Sequence, residues 1–228
     1  MIASERRKIM RLIETPSIRR LFVPEDGYIL FEGDLKRADP QIVAKESGEE
    51  KLLQVFRDGL DVYTDMGKWL YGVPRITQEQ RQWNKNGINA CNYNAQAPTM
   101  ATTLHTTKEK AATYIERWRG PSGLYPGIGK WHRRIDDQLR KTHTVRNVYG
   151  YRRFYTDRLE NLLPKALAWI CSSAVSVTID RGMKHIFGPN IHGNKVAKED
   201  RVDPWSGREY VALPQVELLM QIHDSIIG

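Results

Sequence analysis

Apolar and polar residues change rhythm several times along this chain, and each change marks an element. Residues 21–34, LFVPEDGYILFEGD, set two apolar runs around Pro24-Glu25-Asp26-Gly27, a turn combination. They predict a strand over 28–33 that delivers Asp34 at its end. Between Arg37 and Leu60, the residues Leu52, Leu53, Phe56 and Leu60 recur at helical spacing, which predicts one or two helices. Residues 61–72 predict a short helix ended by Gly72, with Pro74 just beyond. Thr77 and Gln80 form a capping-box pair that opens a helix from about 78 to 93. Thr106 and Glu109 predict the same start for TKEKAATYIERWRG, which Gly120-Pro121 ends. Residues 128–142 predict a further helix, and VRNVYGYRRFYT alternates like a hairpin around Gly150. Residues 164–184 predict a buried helix, with Pro164 tolerated in its first turn. Residues 187–210, rich in Gly, Pro, Asn and Asp, predict a loop or an exposed hairpin. The end, VELLMQIHDSIIG, is two short apolar runs joined by His223-Asp224-Ser225.

The order strand, helices, hairpin, helix, strand pair predicts an α+β protein, not alternating βαβ units. The chain shows no internal repeat and no GxxxxGK[ST] phosphate loop. Its 228 residues allow one large domain or two small ones. The two cysteines, Cys91 and Cys171, exclude a disulfide scaffold and a cysteine zinc cluster, and are expected as small buried fillers. His185 and His192 have no third ligand spaced to join them. Trp69, Trp118, Trp131 and Trp169 fall at helical positions and are expected in the core. No stretch is expected to approach the roughly 20 apolar residues of a membrane helix. The N-terminus lacks the apolar core of a signal peptide, so a cytoplasmic location without a membrane partner is expected. Lys and Arg number 35 against 27 Asp and Glu, a formal charge of +8. That excess favours a polyanionic partner, nucleic acid first.

Two constellations could carry chemistry. Asp34 and Asp224 each sit at the tip of an apolar strand. A lone acid there is usually a turn former. Two such acids from different strands could share divalent cations, because Mg²⁺ takes hard oxygen ligands and fills its shell with phosphates and water. They are then expected within about 8 Å of each other, since a metal pair is only about 3.5–4 Å across. The second constellation is Arg81, Lys85, Asn89 and Tyr93, each four residues from the next. On a helix such residues form one slowly winding stripe, roughly 18 Å long. Two cations at one end could grip a triphosphate and a ring at the other could stack on a base. The plain alternative is a solvated basic helix face.

Together these segments resemble the polymerase portion of family A DNA polymerases, the bacterial DNA polymerase I and phage type. Asp34 followed by Ser47-Gly48 is similar to the family's motif A, a strand ending in Asp, a helix, then L-S-G-D. Arg81, Lys85, Asn89 and Tyr93 are in register with motif B, R-x-x-x-K-x-x-x-F-x-x-x-Y-G. Gln221-Ile222-His223-Asp224-Ser225 resembles the Q-V-H-D-E of motif C. Gly150-Tyr151-Arg152-Arg153 resembles a G-R-R-R segment, and ALAWICSSAV the helix before motif C. The resemblance spans roughly residues 17–228.

The resemblance implies an antiparallel palm sheet with a largely helical fingers insertion. Residues 1–44 and 146–228 would be palm and residues 45–145 fingers. It implies that Asp34 and Asp224 are catalytic and bind two Mg²⁺ ions, with the Leu35 carbonyl as a further ligand. Arg81 and Lys85 would contact the incoming triphosphate, Asn89 and Asp39 its sugar, and Tyr93 the nascent pair. His223 would lie near the primer end, with Arg152 and Ser172 also on the DNA. Several positions depart from the pattern. Ser225 replaces an acid, Asn89 an aromatic residue, Asn94 a Gly, Ser172 a template-contacting Gln and Tyr63 a phosphate-contacting His. The implied partners are primer–template DNA, deoxynucleoside triphosphates and a polypeptide that supplies a thumb and the remaining palm. The expected function is template-directed DNA synthesis, as a fragment or subunit of a split, phage-like enzyme. The alternative is a non-catalytic nucleic-acid-binding remnant that keeps the fold.

Overall fold

The computed structural model describes residues 23–24, 26–27, 29–187, 220–222 and 225–227. The first strand, β1 (Glu32–Asp34), is shorter than the predicted strand over 28–33 and includes Asp34 itself. It runs only where a partner strand supplies hydrogen bonds. That partner is β5 (Ser225–Ile227), which pairs on its other side with β4 (Met220–Ile222). The result is a three-stranded antiparallel sheet in the order β1-β5-β4. β4 is therefore an edge among the described strands. Of the apolar run VELLMQI, only its last three residues lie within the described part.

Seven helices follow β1. They are α1 (Ala38–Ser47), α2 (Glu50–Arg57), α3 (Val62–Tyr71), α4 (Gln78–Asn92), α5 (Ala97–Thr103), α6 (Lys108–Arg119) and α7 (Pro126–Thr142). Most boundaries follow from local chemistry. Gly72 ends α3 with a left-handed φ of 66°, which costs glycine no side-chain clash. Thr77 opens α4 through the predicted capping box: its hydroxyl accepts the Gln80 N–H at 3.1 Å and the Gln80 side chain accepts the Thr77 N–H at 2.9 Å. The predicted start of α6 is corrected by one residue. Thr107, not Thr106, is the cap, accepting the Lys110 N–H at 3.3 Å. Thr106 still belongs to the preceding turn, which its N–H closes on the Ala101 carbonyl at 3.0 Å. That turn belongs to α5, a helix the apolar pattern did not mark. It is short and rich in threonine, and Met100 and the adjoining Leu104 anchor it in the core.

β2 (Thr144–Arg146) and β3 (Arg152–Phe154) form the predicted hairpin, with Gly150 at φ 85° in its turn. A 3₁₀ turn, Leu159–Asn161, then leads into α8 (Leu162–Phe187), longer than the predicted 164–184. The segments 187–210 and 215–219 fall almost wholly outside the described residues.

Leu162–Met183 is long and apolar enough to cross a membrane by length and composition, which corrects the expectation that no stretch comes near that size. Lys165, Asp180 and Arg181 interrupt it without outweighing its Leu, Ile, Val and Ala content. Its apolar character has an internal use: Ala166, Leu167, Ile170, Cys171 and Ala174 are completely buried, and the helix packs on α1, α7, β2 and β5.

The core joins α1–α8 around Leu52, Tyr63, Ile88, Tyr114, Trp118 and Trp131. Cys91 and Cys171 are buried free thiols, as expected of fillers. Trp118 and Trp131 are core residues and Trp169 packs half-buried against the core, but Trp69 departs from the expectation. It is 36% exposed, with the Arg117 guanidinium 4.7 Å from its ring centroid, a cation–π contact that tolerates solvent.

One close approach shows how tightly Leu104 packs on α4. A Cβ on Gly87 would overlap Leu104 Cδ2. Gly87→Ala is therefore expected to force Leu104 out of its place and to destabilise the protein by about 1–3 kcal/mol. Denaturant unfolding of the two proteins measures the difference, and equal midpoints would contradict the packing.

Candidate active site

The buried and exposed faces of α4 arrange the site. Asn84, Gly87, Ile88 and Cys91 face the core, so Arg81, Lys85, Asn89 and Tyr93 follow one another along the other side. Lys85 is exposed, and the other three are half-buried. Asn89 Oδ1 is buried and has no hydrogen-bond partner among the described residues.

The end of α4 is held from three directions. Trp118 Nε1 of α6 donates to Asn92 Oδ1 at 2.8 Å. His132 Nε2 of α7 lies 2.8 Å from the Asn92 carbonyl, so the nitrogen carrying the proton is Nε2. Arg119 Nη2 donates to Asn94 Oδ1 at 3.0 Å. Burial, aided by the Arg119 charge, pushes the His132 imidazole down to about 3, although the bond to the Asn92 carbonyl opposes this. The ring is therefore neutral at physiological pH.

These anchors place Tyr93 against α1. Its hydroxyl donates to Asp39 Oδ2 at 2.6 Å across 54 residues of sequence. Burial first, then the Cys171 thiol and the Asp39 carboxylate, hold the phenol well above its ordinary range. Tyr93 therefore remains a donor at any ordinary pH.

At the other end of the stripe, Arg81 Nε donates to Asp61 Oδ2 at 2.7 Å. Asp61 also caps α3, accepting the Tyr63 N–H at 3.2 Å and the Thr64 hydroxyl at 2.8 Å. Partial burial pushes its carboxyl up, but the Arg81 and Thr64 hydrogen bonds and the Arg81 charge outweigh this and hold it below the usual carboxylate value. The Arg81 guanidinium also sits 5.5 Å from the centroid of the buried Tyr63 ring. The sequence reading did not single out Asp61 as part of the site. Its signal was the helix-cap position ahead of VYTDMG, which points to a cap and not to a partner twenty residues away.

Asp34 is exposed at the end of β1 and lies opposite Ser225 in the β1–β5 register. Asp224 and His223 fall outside the described residues, between β4 and β5 in sequence. Arg152 is exposed on β3, and Ser172 is exposed on α8 with its hydroxyl 3.4 Å from the Trp169 carbonyl. Neither makes a described contact with the Asp39–Tyr93 or Asp61–Arg81 pairs. Among the described residues no group of three or more His, Cys, Asp or Glu gathers to hold a metal.

The residues that organise this site lie within the region that known proteins share. Residues 7–167 match the DNA polymerase family A profile, so the chain belongs to that family. The thermostable DNA polymerase I of Thermus aquaticus is 29% identical over 142 residues, covering 61% of this chain and 17% of that protein. DNA polymerase I of Lactococcus lactis subsp. lactis is 26% identical over 223 residues, covering 96% of this chain and 24% of that protein. The chain thus matches about a quarter or less of these relatives' length. The fold is similar to the polymerase domain of Pol1 from M. smegmatis, solved in complex with DNA primer-template and dNTP. The TM-score is 0.70 at 23% identity, covering 94% of this chain and 36% of that one. The architecture is accordingly a mostly helical polymerase-type fold with small antiparallel sheets.

Proposed function

We propose that the chain forms the palm and fingers of a template-directed DNA polymerase, with residues 1–44 and 146–228 as palm and 45–145 as fingers. The observation that carries this reading is the pairing of Asp34 with Ser225, the covalent neighbour of Asp224. It supports a shared site for two carboxylates about 190 residues apart in sequence. The Tyr93–Asp39 bond adds support, because it ties the helical stripe to the helix that follows Asp34.

The donors suit Mg²⁺: Asp34, Asp224 and the Leu35 carbonyl offer hard oxygens, and few protein ligands suffice for an ion that keeps phosphates and water in its shell. Two bound Mg²⁺ ions would supply charge neutralisation at the attacking and leaving oxygens. The chain's own residues do the positioning. Arg81 and Lys85 grip the triphosphate, Tyr93 lies beside the nascent pair with its hydroxyl fixed by Asp39, and Asn89 faces the sugar. His223, Arg152 and Ser172 contact the DNA. The primer 3′-hydroxyl attacks the α-phosphate of the deoxynucleotide and pyrophosphate leaves. A polypeptide bearing a thumb and further palm is part of the same proposal.

Primer extension with and without dNTP is the direct test. Lys85→Ala is expected to weaken nucleotide use by roughly 10–100-fold, the scale of one lost charged hydrogen bond. Duplex binding should stay within about twofold, since one charge fewer changes the salt slope little. Equal losses in both would make Lys85 part of a general basic surface.

A further inference from the structure

Tyr93 caps α4, and the backbone just beyond it makes a turn that suits glycine. The Ala95 N–H donates to the Ala90 carbonyl at 2.8 Å and the Asn94 N–H to the Cys91 carbonyl at 3.1 Å. This pair of bonds needs a left-handed residue after the cap, and Asn94 supplies it at φ 65°. Glycine enters that region without a clash. Asparagine meets a steric cost there, which hydrogen bonds to its short side chain offset.

The side chain of Asn94 is held from α6. Arg119 Nη2 donates to Asn94 Oδ1 at 3.0 Å. The exposed Gln96 reaches the same oxygen only at 3.4 Å and makes its shorter bond, 2.8 Å, to the Asn94 carbonyl. Trp118, the residue before Arg119, donates to Asn92 Oδ1 at 2.8 Å. Two consecutive residues at one helix end thus grip the neighbours of Tyr93 on both sides. Arg119 has no ion pair among the described residues, and its Nε is buried without a hydrogen-bond partner among them. A guanidinium half removed from water on those terms adds little to stability. Its charge lies beside the Cys91 thiol, one turn back on α4, so the side chain acts on the end of that helix.

We propose that Arg119 is a positioning residue for nucleotide selection: it holds Asn94 in the left-handed turn and so fixes Tyr93 beside the nascent base pair. This rests on the reading of Tyr93 as the residue next to that pair. A freed Asn94 can leave the left-handed region, which breaks the two closing bonds and shifts the cap. The Tyr93 ring then no longer meets a paired base at one fixed distance, and correct and incorrect pairs become more alike.

The test is equilibrium binding of templated and mismatched deoxynucleotides to the full chain on a primer–template. A dideoxy-terminated primer makes the measurement independent of turnover. Arg119→Met keeps the aliphatic stem and removes the donors. It should lower the preference for the templated nucleotide by about tenfold, the scale of one charged hydrogen bond. Duplex affinity should stay within about twofold, since one charge is lost. Asn94→Gly alone should match the parent, because glycine keeps the turn unaided. Asn94→Gly added to Arg119→Met should restore the preference to within about twofold of the parent, a coupling that a double-mutant cycle reads directly. A merely structural role predicts no such rescue, because removing a second side chain does not repair lost packing. A persistent loss in the double variant, or parent-like preference in Arg119→Met, overturns the role of Arg119, and a loss in Tyr93→Ala then leaves the reading of Tyr93 standing. No preference in the parent, or none lost in Tyr93→Ala, overturns both.

Discussion

Asp34→Asn is expected to cut single-turnover nucleotide incorporation by about a thousandfold or more. The substitution keeps the size and the strand position of the side chain and removes its charge. A hard divalent cation depends on that charge, and the transition state it stabilises is worth several kcal/mol, of which three decades in rate account for about 4. Asp34 lies exposed at a strand end, so the fold should be indifferent to the change. Duplex affinity should hold or rise slightly, because one negative charge facing a polyanion is gone. The measurement pairs rapid-quench incorporation with primer–template titration. A loss of less than tenfold, or a parallel loss of duplex binding, would remove Asp34 from the catalytic centre.

The second large effect is on stability and comes from His132. Its imidazole is pushed down to about 3 in the fold, against about 6.5 when unfolded. The unfolded state therefore binds a proton that the folded state refuses. His132 contributes stability fully above about pH 6.5, and that contribution is lost as pH falls toward about 3. The slope for one proton is about 1.4 kcal/mol per pH unit, so about 2–3 kcal/mol should go between pH 6.5 and 4.5. His132→Gln can still donate to the Asn92 carbonyl but does not titrate. The gap between the two stability curves should be constant above pH 7 and close steadily below 6.5. Parallel curves across that range would show that the ring is readily protonated in place. Acid does not itself break the bond to the Asn92 carbonyl, because the charged ring still donates through Nε2; the cost lies in burying a second proton at Nδ1.

Much of the helical architecture was legible because its signals are local. The capping box at Thr77, the glycine stop at Gly72 and the hairpin turn at Gly150 each depend on residues a few positions apart. The stripe of Arg81, Lys85, Asn89 and Tyr93 was legible for the same reason, since helix geometry alone sets its line. α5 was missed because its stability comes from burying Met100 and Leu104, not from caps or period. Trp69 was placed inside because its helical position says nothing of Arg117, which lies 48 residues on and covers its exposed ring.

The sequence by itself determined every helix but α5, the excess of positive charge and the three ordered motifs. Covalent neighbours and a 3.6-residue period are enough to encode those. The tertiary structure decided which of those residues meet. Asp34 faces Ser225 through a sheet register, Asp39 takes the Tyr93 hydroxyl, and Asp61 takes Arg81. Each contact spans at least twenty residues, and its partner is chosen by how helices pack on one core. No local pattern in the chain carries that information.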